Sequence, residues 1–381
     1  MANIEIRKVE TKKDLKHFIE LHYDLYKGNE YDAPNLFSDE MNTLSKDKNA
    51  AFDFCRAEYF MAYKDGKLVG RVAAIINDLA NTTWNRKDVR FGWLDMIDDP
   101  EVTVALMDAV EQYGKENGMT HVCGPLGFTD LDPEGMLTEG FDQLGTMATL
   151  YNYDYYPKHF EQMNCWEVDN RYVEYKLMVP DKVPEKFQKV SDMIGKRYNI
   201  HAHHYTRKQI MEEGIGQKIF DIINESYGHL YGYNKLSPKQ IDQYCEMYLG
   251  LLDLDLVVTA VDDNTGEIVG CAITMASLTR ALQKCYRGRL WPFGWWHIAR
   301  ALYFRKTEVA DLLLIAVKPA YRSKGANAVI FTDLIPKYIK YGWKWGETHV
   351  EMETNDKVQA QWEHVERVLH KRRICWRKEI K

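Results

Sequence analysis

Short runs of alternating hydrophobic and polar residues divide this chain into strands, and stretches with helical spacing lie between them. The first run, 4–9, predicts a strand, and Thr11 caps a helix whose apolar positions include Leu15, Phe18 and Ile19. The remaining elements of the first half are a hairpin over 58–76 that turns on Asp65-Gly66, a strand at 91–96, a helix over 100–117 and a strand at 120–123.

The second half repeats this plan. Its elements are a strand at 199–203, helices near 207–228 and 237–250, a hairpin over 255–274, a strand at 312–317, a helix after 325 and a strand at 348–353. Two repeated sequence patterns support a duplication. The pattern Tyr-Gly-x-x-x-Gly-x-Thr-His-Val of 113–122 recurs at 341–350, and Leu68-Val-Gly70 recurs as Ile268-Val-Gly270. The two offsets (341 − 113 = 228 and 270 − 70 = 200) differ by 28, which predicts an insertion that the segment 278–306 fits. We therefore expect two tandem domains, 1–180 and 181–381, joined near 179–184.

Composition excludes several classes of protein. The net charge of −6 argues against a general nucleic-acid binder, so no nucleic-acid partner is expected. The seven cysteines are odd in number and scattered, without a Cys-x-x-Cys pair, which predicts reduced thiols and no zinc site. His201, His203 and His204 have no carboxylate or cysteine at ligand spacing, so no metal is expected. Neither a leader sequence nor an apolar run of membrane-spanning length occurs, and the expected location is the cytoplasm.

The stretch 311–328 carries the strongest chemical signal. Its apolar residues, Leu312–Val317, predict a buried strand, and Pro319 ends it. A basic loop, Arg322–Gly325, then precedes a new helix. Consecutive N–H groups at a helix N-terminus, reinforced by Arg and Lys, are typical of a pyrophosphate site.

This stretch resembles the cofactor motif of the GNAT superfamily of acyl-CoA-dependent N-acyltransferases. Val317, Pro319, Tyr321, Arg322 and Gly325 match that motif, and Asn, a residue that tolerates the left-handed region, stands at 327 where a second Gly or Ala is expected. The segments 124–128, 139–141 and 151–157 resemble a group of bacterial tandem-GNAT proteins. The resemblance implies an α+β fold of two tandem GNAT-like domains, each a mixed, mostly antiparallel sheet flanked by helices.

The resemblance also implies the cofactor site. Acetyl-CoA or a longer acyl-CoA would bind the second domain as co-substrate, with an amide near Ala316–Val317 on the thioester oxygen. The implied cofactor-binding residues are Ala316, Val317, Arg322, Ser323, Lys324, Gly325, Ala326 and Asn327. The first copy carries the acidic segment 97–101 in place of the loop, which would repel a pyrophosphate.

Candidate catalytic residues lie at the end of the predicted strand 348–353. A carboxylate must accept the proton of the attacking amine, and Glu353, with Asn355 beside it, stands at the end where family active sites open. A solvated strand-end charge is an equally good reading of Glu353. Trp362 stands where many members have a tyrosine acid. For the small-molecule amine acceptor, the resemblance points to Asn152, Tyr153 and Tyr156, against which a structural role is the alternative.

The insertion at 278–306 combines cations with aromatic residues and contains no acidic residue. The cations are Arg280, Lys284, Arg287, Arg289, Arg300, Arg305 and Lys306, and the aromatic residues singled out are Trp291, Phe293, Trp295, Trp296, Tyr303 and Phe304. We expect the aromatic residues to pack between the domains while the cations face water. Docking on a membrane surface or on acyl carrier protein, and a lid over a long acyl chain, are the alternatives.

These observations favour an N-acyltransferase that moves an acyl group from coenzyme A to an amine by direct attack. One alternative keeps the fold and takes the acyl group from acyl carrier protein or aminoacyl-tRNA. Another makes the protein a non-catalytic sensor or scaffold that binds coenzyme A, because the first copy lacks the loop and Trp362 replaces the usual tyrosine.

Overall fold

A computed structural model describes residues 4–304, 307–362 and 364–381. The strands of the first half are β1 (Ile4–Lys8), β2 (Cys55–Lys64), β3 (Lys67–Asn77), β4 (Asp88–Met96), β5 (His121–Gly124), β6 (Met136–Glu139) and β7 (Glu167–Met178). Its helices are α1 (Lys12–Leu25), α2 (Phe37–Thr43), α3 (Asp78–Thr83), α4 (Pro100–Glu116) and α5 (Tyr155–Gln162). Thr11 caps α1 as predicted, because its side chain accepts from the Asp14 amide and Asp14 bonds back to Thr11.

The second half repeats the order of the first with more helices. Its strands are β8 (Ile200–His203), β9 (Val257–Asp262), β10 (Glu267–Ala276), β11 (Val309–Val317), β12 (Trp345–Thr348), β13 (Glu351–Met352) and β14 (Arg367–Glu379). Its helices are α6 (Glu185–Tyr198), α7 (Arg207–Glu212), α8 (Ile215–Tyr227), α9 (Pro238–Tyr248), α10 (Thr279–Leu282), α11 (Gly294–Tyr303), α12 (Pro319–Arg322), α13 (Ala326–Tyr341) and α14 (Asp356–Gln359). The prediction of a strand over 348–353 is wrong in detail: β12 ends at Thr348, and only 351–352 pairs again, with β7.

The two halves exchange their last strands. The sheet runs β1-β2-β3-β4-β5-β14-β7-β12-β11-β10-β9-β8, so that β14 lies beside β5 and β7 lies beside β12. The long antiparallel pair of β14 with β7 joins the two halves into one continuous sheet. The α+β class and the tandem arrangement of mixed, mostly antiparallel sheets are therefore confirmed. The boundary at 180/181 stays a prediction.

Buried charges lie at this junction of exchanged strands. Arg373 of β14 pairs with Glu174 of β7, and Lys371 pairs with Glu174 and Glu347, all of them almost inaccessible to solvent. Glu174, Glu347 and His370 also place ligand-type atoms within 4.8 Å of one another. Since the Lys371 ammonium already pairs with both carboxylates, these charges are compensated within the chain. The two neighbouring cations lower the pKa of Glu174 to about 2 against the opposing effect of its burial.

In each half one pair of strands is parallel and separates after a few residues. In the second half, β11 pairs with β12 only from Val309 to Leu312. A β-bulge near Leu313 and Leu314 shifts the pairing of β11 with β10 at the same level. Beyond it, β11 continues to Val317 with one backbone edge facing an open cleft.

In the first half, the corresponding cleft is closed by the chain itself. β4 pairs with β5 only over 88–90, and the Leu126 amide then donates to Phe91 O (2.9 Å) in the place where a cleft would open. A Cβ on Gly92 would lie 2.6 Å from Leu126 O, so backbone fills this space tightly. Among the described residues, the first half therefore has no cleft between β4 and β5 of the kind that opens beside β11.

The insertion lies between β10 and β11, where the first half has only α3, as the repeated patterns predicted. Its expected orientation is wrong. Arg287 pairs with Asp24, and Arg289 pairs with Glu20 (2.7 Å), both on α1 of the first half. The aromatic side chains face outward instead, with Trp291 80% exposed. Ion pairs with the acidic face of α1 thus hold the insertion, whereas Arg305 and Lys306 lie outside the described residues.

Candidate active site

A cavity of about 730 Å³ opens between the separated ends of β11 and β12 and extends to the first half. One wall is Leu312–Val317, and the other includes Thr348–Met352 with Asn355 and Trp362 behind it. The first half contributes the loop 130–134, and α10 and α11 contribute Leu278, Leu282 and Ile298. Most of the lining is apolar, so the cavity has the size and character of a site for a hydrophobic molecule.

The loop after β11 has the backbone form that an anion site requires. Gly325 has φ +85, and a Cβ there would lie 2.8 Å from Val190 Cγ1 of α6, so glycine is needed at this position. The amides of Ala326 and Asn327 at the start of α13 make no hydrogen bond within the described parts of the chain. Asn327 is an ordinary helical residue, so the tolerance of asparagine for the left-handed region plays no part here. Two N–H groups thus point outward at a helix N-terminus.

The two cations of this loop are partly engaged. Arg322 donates through Nε to Val317 O (3.0 Å) and through Nη2 to Ser226 O (3.3 Å), which braces the loop against β11 and α8. Lys324 Nζ lies 4.1 Å from the centre of the Tyr321 ring and 5.0 Å from that of Tyr198. Arg322, Ser323 and Asn327 line the cavity, so the loop borders its entrance.

The free edge of β11 presents backbone groups to the cavity. The Lys318 amide bonds to Val269 O of β10, and backbone groups alternate in direction along a strand, so Ala316 faces β10 and Val317 and Ile315 face the cleft. Tyr227 of α8 donates to Ile315 O (2.9 Å) and accepts from the Ile315 amide (3.4 Å). Of the two residues named from the sequence, Val317 therefore has its amide toward the cavity.

Six carboxylates line the cavity, against one arginine and no lysine among the described lining residues. They are Asp39, Glu40, Asp130, Asp132, Glu134 and Glu351. Burial raises the pKa of Asp130 to about 7 and that of Asp132 to about 6, and it raises the pKa of Glu134 well above its usual range. An apolar cavity with several carboxyl groups is suited to a molecule that combines hydrocarbon with a cationic group.

Glu351 and Glu353 occupy different environments. Glu351 lines the cavity, accepts a hydrogen bond from Trp362 Nε1 (2.9 Å), and has a second oxygen that is buried without a hydrogen-bond partner in the described chain. Burial raises its pKa to about 7. Glu353 is paired with Arg372 and is not among the described residues that line the cavity, whereas Asn355 is. The sequence alone could not show this difference, because Arg372, the partner of Glu353, lies on β14, a separate strand.

The tyrosine cluster of the first half lies in that half's core. Tyr156 is 1% exposed. Its hydroxyl accepts hydrogen bonds from the Tyr26 hydroxyl (3.0 Å) and from the Met96 amide. Asn152 hydrogen-bonds both backbone groups of Leu137, and Tyr153 stacks on Tyr26. Asn152 and Tyr156 border a separate cavity of about 60 Å³. Their role in acceptor binding stays a prediction.

Two features of the site were not predicted from the sequence. The acidic residues of 130–134 lie in an irregular loop of the first half and enter the cavity only because the halves share one sheet. Tyr227 lies on α8, far in sequence from the loop 322–325, and burial raises its pKa, with the charges of Asp130 and Glu351 adding to the effect. A Thr-Asp-Leu-Asp-Pro-Glu run at 129–134 is dense in carboxylates, which was the one available hint.

Comparison with known proteins shows what this arrangement is similar to. A tandem GNAT protein from the clavulanic acid biosynthesis pathway superposes with a TM-score of 0.59 at 11% identity, and the match covers 100% of this chain and 99% of that one. The fold is that of a tandem GNAT protein. A GCN5-related N-acetyltransferase from Sphaerobacter thermophilus gives a TM-score of 0.52 at 11% identity, with 99% of this chain and 96% of that one covered. The predicted resemblance to GNAT proteins is thereby confirmed at the level of the fold.

Sequence comparison adds two relatives of this chain. Protein YghO of Escherichia coli (strain K12) is 26% identical over 332 residues, which covers 87% of this chain and 83% of that protein. The bacterial ceramide synthase of Caulobacter vibrioides (strain NA1000 / CB15N) is 24% identical over 323 residues, with 84% and 82% covered. No protein-family model matches the chain. Within the described residues, no helix combines the length and the apolar character needed to cross a bilayer.

Proposed function

We propose that this protein is an N-acyltransferase that moves an acyl group from a coenzyme A thioester to the amine of a long-chain substrate. The observation that carries the proposal is the cavity between β11 and β12, which is apolar along most of its walls and holds several carboxyl groups. An ammonium group would bind the carboxylates, and its hydrocarbon chain would lie on the apolar walls. The relative named a ceramide synthase supports this substrate class, because a ceramide is an N-acylated long-chain amine.

Coenzyme A would bind at the loop between β11 and α13. The pyrophosphate would accept hydrogen bonds from the amides of Ala326 and Asn327, with Ser323 beside them and the charges of Arg322 and Lys324 close by. The acyl arm would enter the gap where β11 leaves β12, and the Val317 amide would donate to the thioester oxygen as it becomes an oxyanion. The chain would thus supply donors for the pyrophosphate and for the thioester oxygen.

In the chemical step, the neutral amine attacks the thioester carbon, the C–N bond forms and the C–S bond breaks. We assign Glu351 as the base that accepts the amine proton, because its carboxyl group is in the cavity and has a pKa near 7, whereas Glu353 is paired with Arg372. Tyr227, which contacts the backbone of Ile315 on the free edge of β11, is our candidate donor of a proton to the departing thiolate. Tyr227 would then be the proton donor in place of the residue at 362. Trp362 cannot act as that donor, since its indole N–H donates to Glu351.

The test combines a binding and a turnover measurement. Calorimetric titration with coenzyme A, acetyl-CoA and palmitoyl-CoA should show binding that is lost in Ser323→Glu and kept in Gln112→Glu, which adds the same charge on α4 of the first half. Ser323→Glu is preferred to a substitution at Gly325 in the same loop. A side chain at Gly325 would strain a backbone with φ +85 and collide with Val190. Mass spectrometry should then detect an amide product from sphinganine and palmitoyl-CoA. Failure to bind any thioester would instead favour acyl carrier protein or aminoacyl-tRNA as donor. Binding without turnover would favour a sensor or scaffold.

A further inference from the structure

The insertion carries an exposed aromatic surface that the proposed reaction does not use. We call residues 286–304 the aromatic tongue. Its outward side chains include Tyr286 (77% exposed), Trp291 (80%), Phe293 (74%) and Tyr303 (80%), with Trp295, Trp296 and Phe304 also exposed. Monomeric proteins rarely expose so many large apolar side chains in one segment, and such a surface marks an interaction site.

The opposite side of the insertion that carries the tongue, 278–304, is part of the wall of the cavity. Leu278, Leu282 and Ile298 line the cavity and pack with Met275 and Cys285 in one apolar cluster. The segment is therefore a thin partition, with the substrate cavity on one side and the exposed aromatic residues on the other.

Charge narrows the choice of partner. No acidic residue occurs between Ser277 and Phe304. Arg287 and Arg289 are held by Asp24 and Glu20 of α1, and Arg289 also lies 4.3 Å from the centre of the Phe37 ring. Lys284 and Arg300 are exposed, and neither has an ion-pair partner in the described parts of the chain. The cations that remain free thus flank aromatic residues and are too few for a docking site that relies on charge.

We propose that the aromatic tongue binds the surface of a bilayer that contains anionic lipid. Trp, Tyr and Phe side chains favour the boundary between headgroups and acyl chains, and Lys or Arg beside them add attraction to anionic headgroups. An acidic carrier protein fits less well, because the two arginines best placed for it are neutralised by α1. Membrane binding itself is independent of the proposed function. Its consequence, that a long-chain amine reaches the cavity from the bilayer across this partition, rests on that function.

Vesicle flotation with the full chain tests the surface without any turnover. We expect wild type to float with vesicles of phosphatidylcholine and phosphatidylglycerol, and to float less at high salt or with phosphatidylcholine alone. The triple variant Trp291→Ser, Phe293→Ser, Tyr303→Ser should partition at least about tenfold more weakly. A matched triple variant at exposed apolar positions elsewhere, Leu79→Ser, Met193→Ser and Val368→Ser, should float like wild type.

A second variant and a second readout guard against misfolding. Lys284→Glu with Arg300→Glu leaves the aromatic residues in place and should remove the preference for anionic vesicles. Lipids brominated on their acyl chains should quench the tryptophan fluorescence of wild type more than that of the first triple variant. The proposal is overturned if wild type does not float, if the tongue variant floats as wild type does, or if the tongue binds acyl carrier protein but not vesicles.

Discussion

Replacing Glu351 by Gln should remove activity and, at alkaline pH, stabilise the fold. The carboxyl group titrates near 4.5 in an unfolded chain and at about 7 in the cavity. Between these pH values the folded protein keeps a proton that the unfolded chain has released, so rising pH destabilises the folded state through this group. The cost levels off above pH 7 at up to about 3 kcal/mol. Gln is neutral throughout and keeps an oxygen for Trp362 Nε1, so it should escape this cost.

Urea unfolding of wild type and Glu351→Gln, followed by tryptophan fluorescence at pH 4.5 and pH 8, measures the difference. The two proteins should have nearly equal free energies of unfolding at pH 4.5, and the variant should be more stable at pH 8. The other buried carboxyl groups contribute equally to both proteins and cancel in the comparison.

The same substitution tests the assignment of the base. Loss of a general base costs about 10²–10⁴-fold in turnover, so Glu351→Gln should lose that much, while wild type should become more active as pH rises through 7. Glu353→Gln is the matched control and should keep activity within a few-fold of wild type, because Arg372 already neutralises that carboxylate. An equal stability difference at both pH values would refute the raised pKa. Comparable activity losses in the two variants would refute the choice of Glu351.

Three further predictions concern other parts of the site and the junction. Tyr227→Phe should lower turnover about 10- to 100-fold, with unchanged coenzyme A binding by calorimetry, because it removes a proton donor and keeps the ring. Arg373→Met should lower the free energy of unfolding by about 3–5 kcal/mol in a urea titration, because it leaves the two buried carboxylates of Glu174 and Glu347 with Lys371 as their one remaining buried cation among the described residues; a loss below 1 kcal/mol would contradict this. Ile298→Trp should fill part of the cavity and shift the preferred amine toward shorter chains when kcat/KM is compared across chain lengths; an unchanged preference would place the chain elsewhere.

The repeated plan and the glycine-containing loop after β11 could be predicted because both are local. Strand alternation, the Thr11 cap and the glycine at 325 depend on neighbouring residues, and the structure has them where the pattern indicates. The residues that line the cavity could not be predicted, because they come together only through contacts between distant segments. Glu351 lines the cavity, whereas Glu353 is paired with Arg372 of β14, a later strand. Likewise, the acidic partners of Arg287 and Arg289 lie on α1 at the other end of the chain, so local sequence patterns could not show that α1 holds these arginines while the aromatic residues face outward.

The exchange of β7 and β14 also affects how the chain can be made. A ribosome delivers β5 long before β14, the strand that pairs with it, so the first half emerges with an unpaired inner edge. Until β14 arrives, β7 has only one of its two neighbours and the carboxylate of Glu174 lacks Arg373. The nascent first half therefore has an edge open to pairing with other chains, and folding to completion is a late event. Separate expression of the two halves should accordingly give aggregation-prone products, and co-expression should restore the pairing.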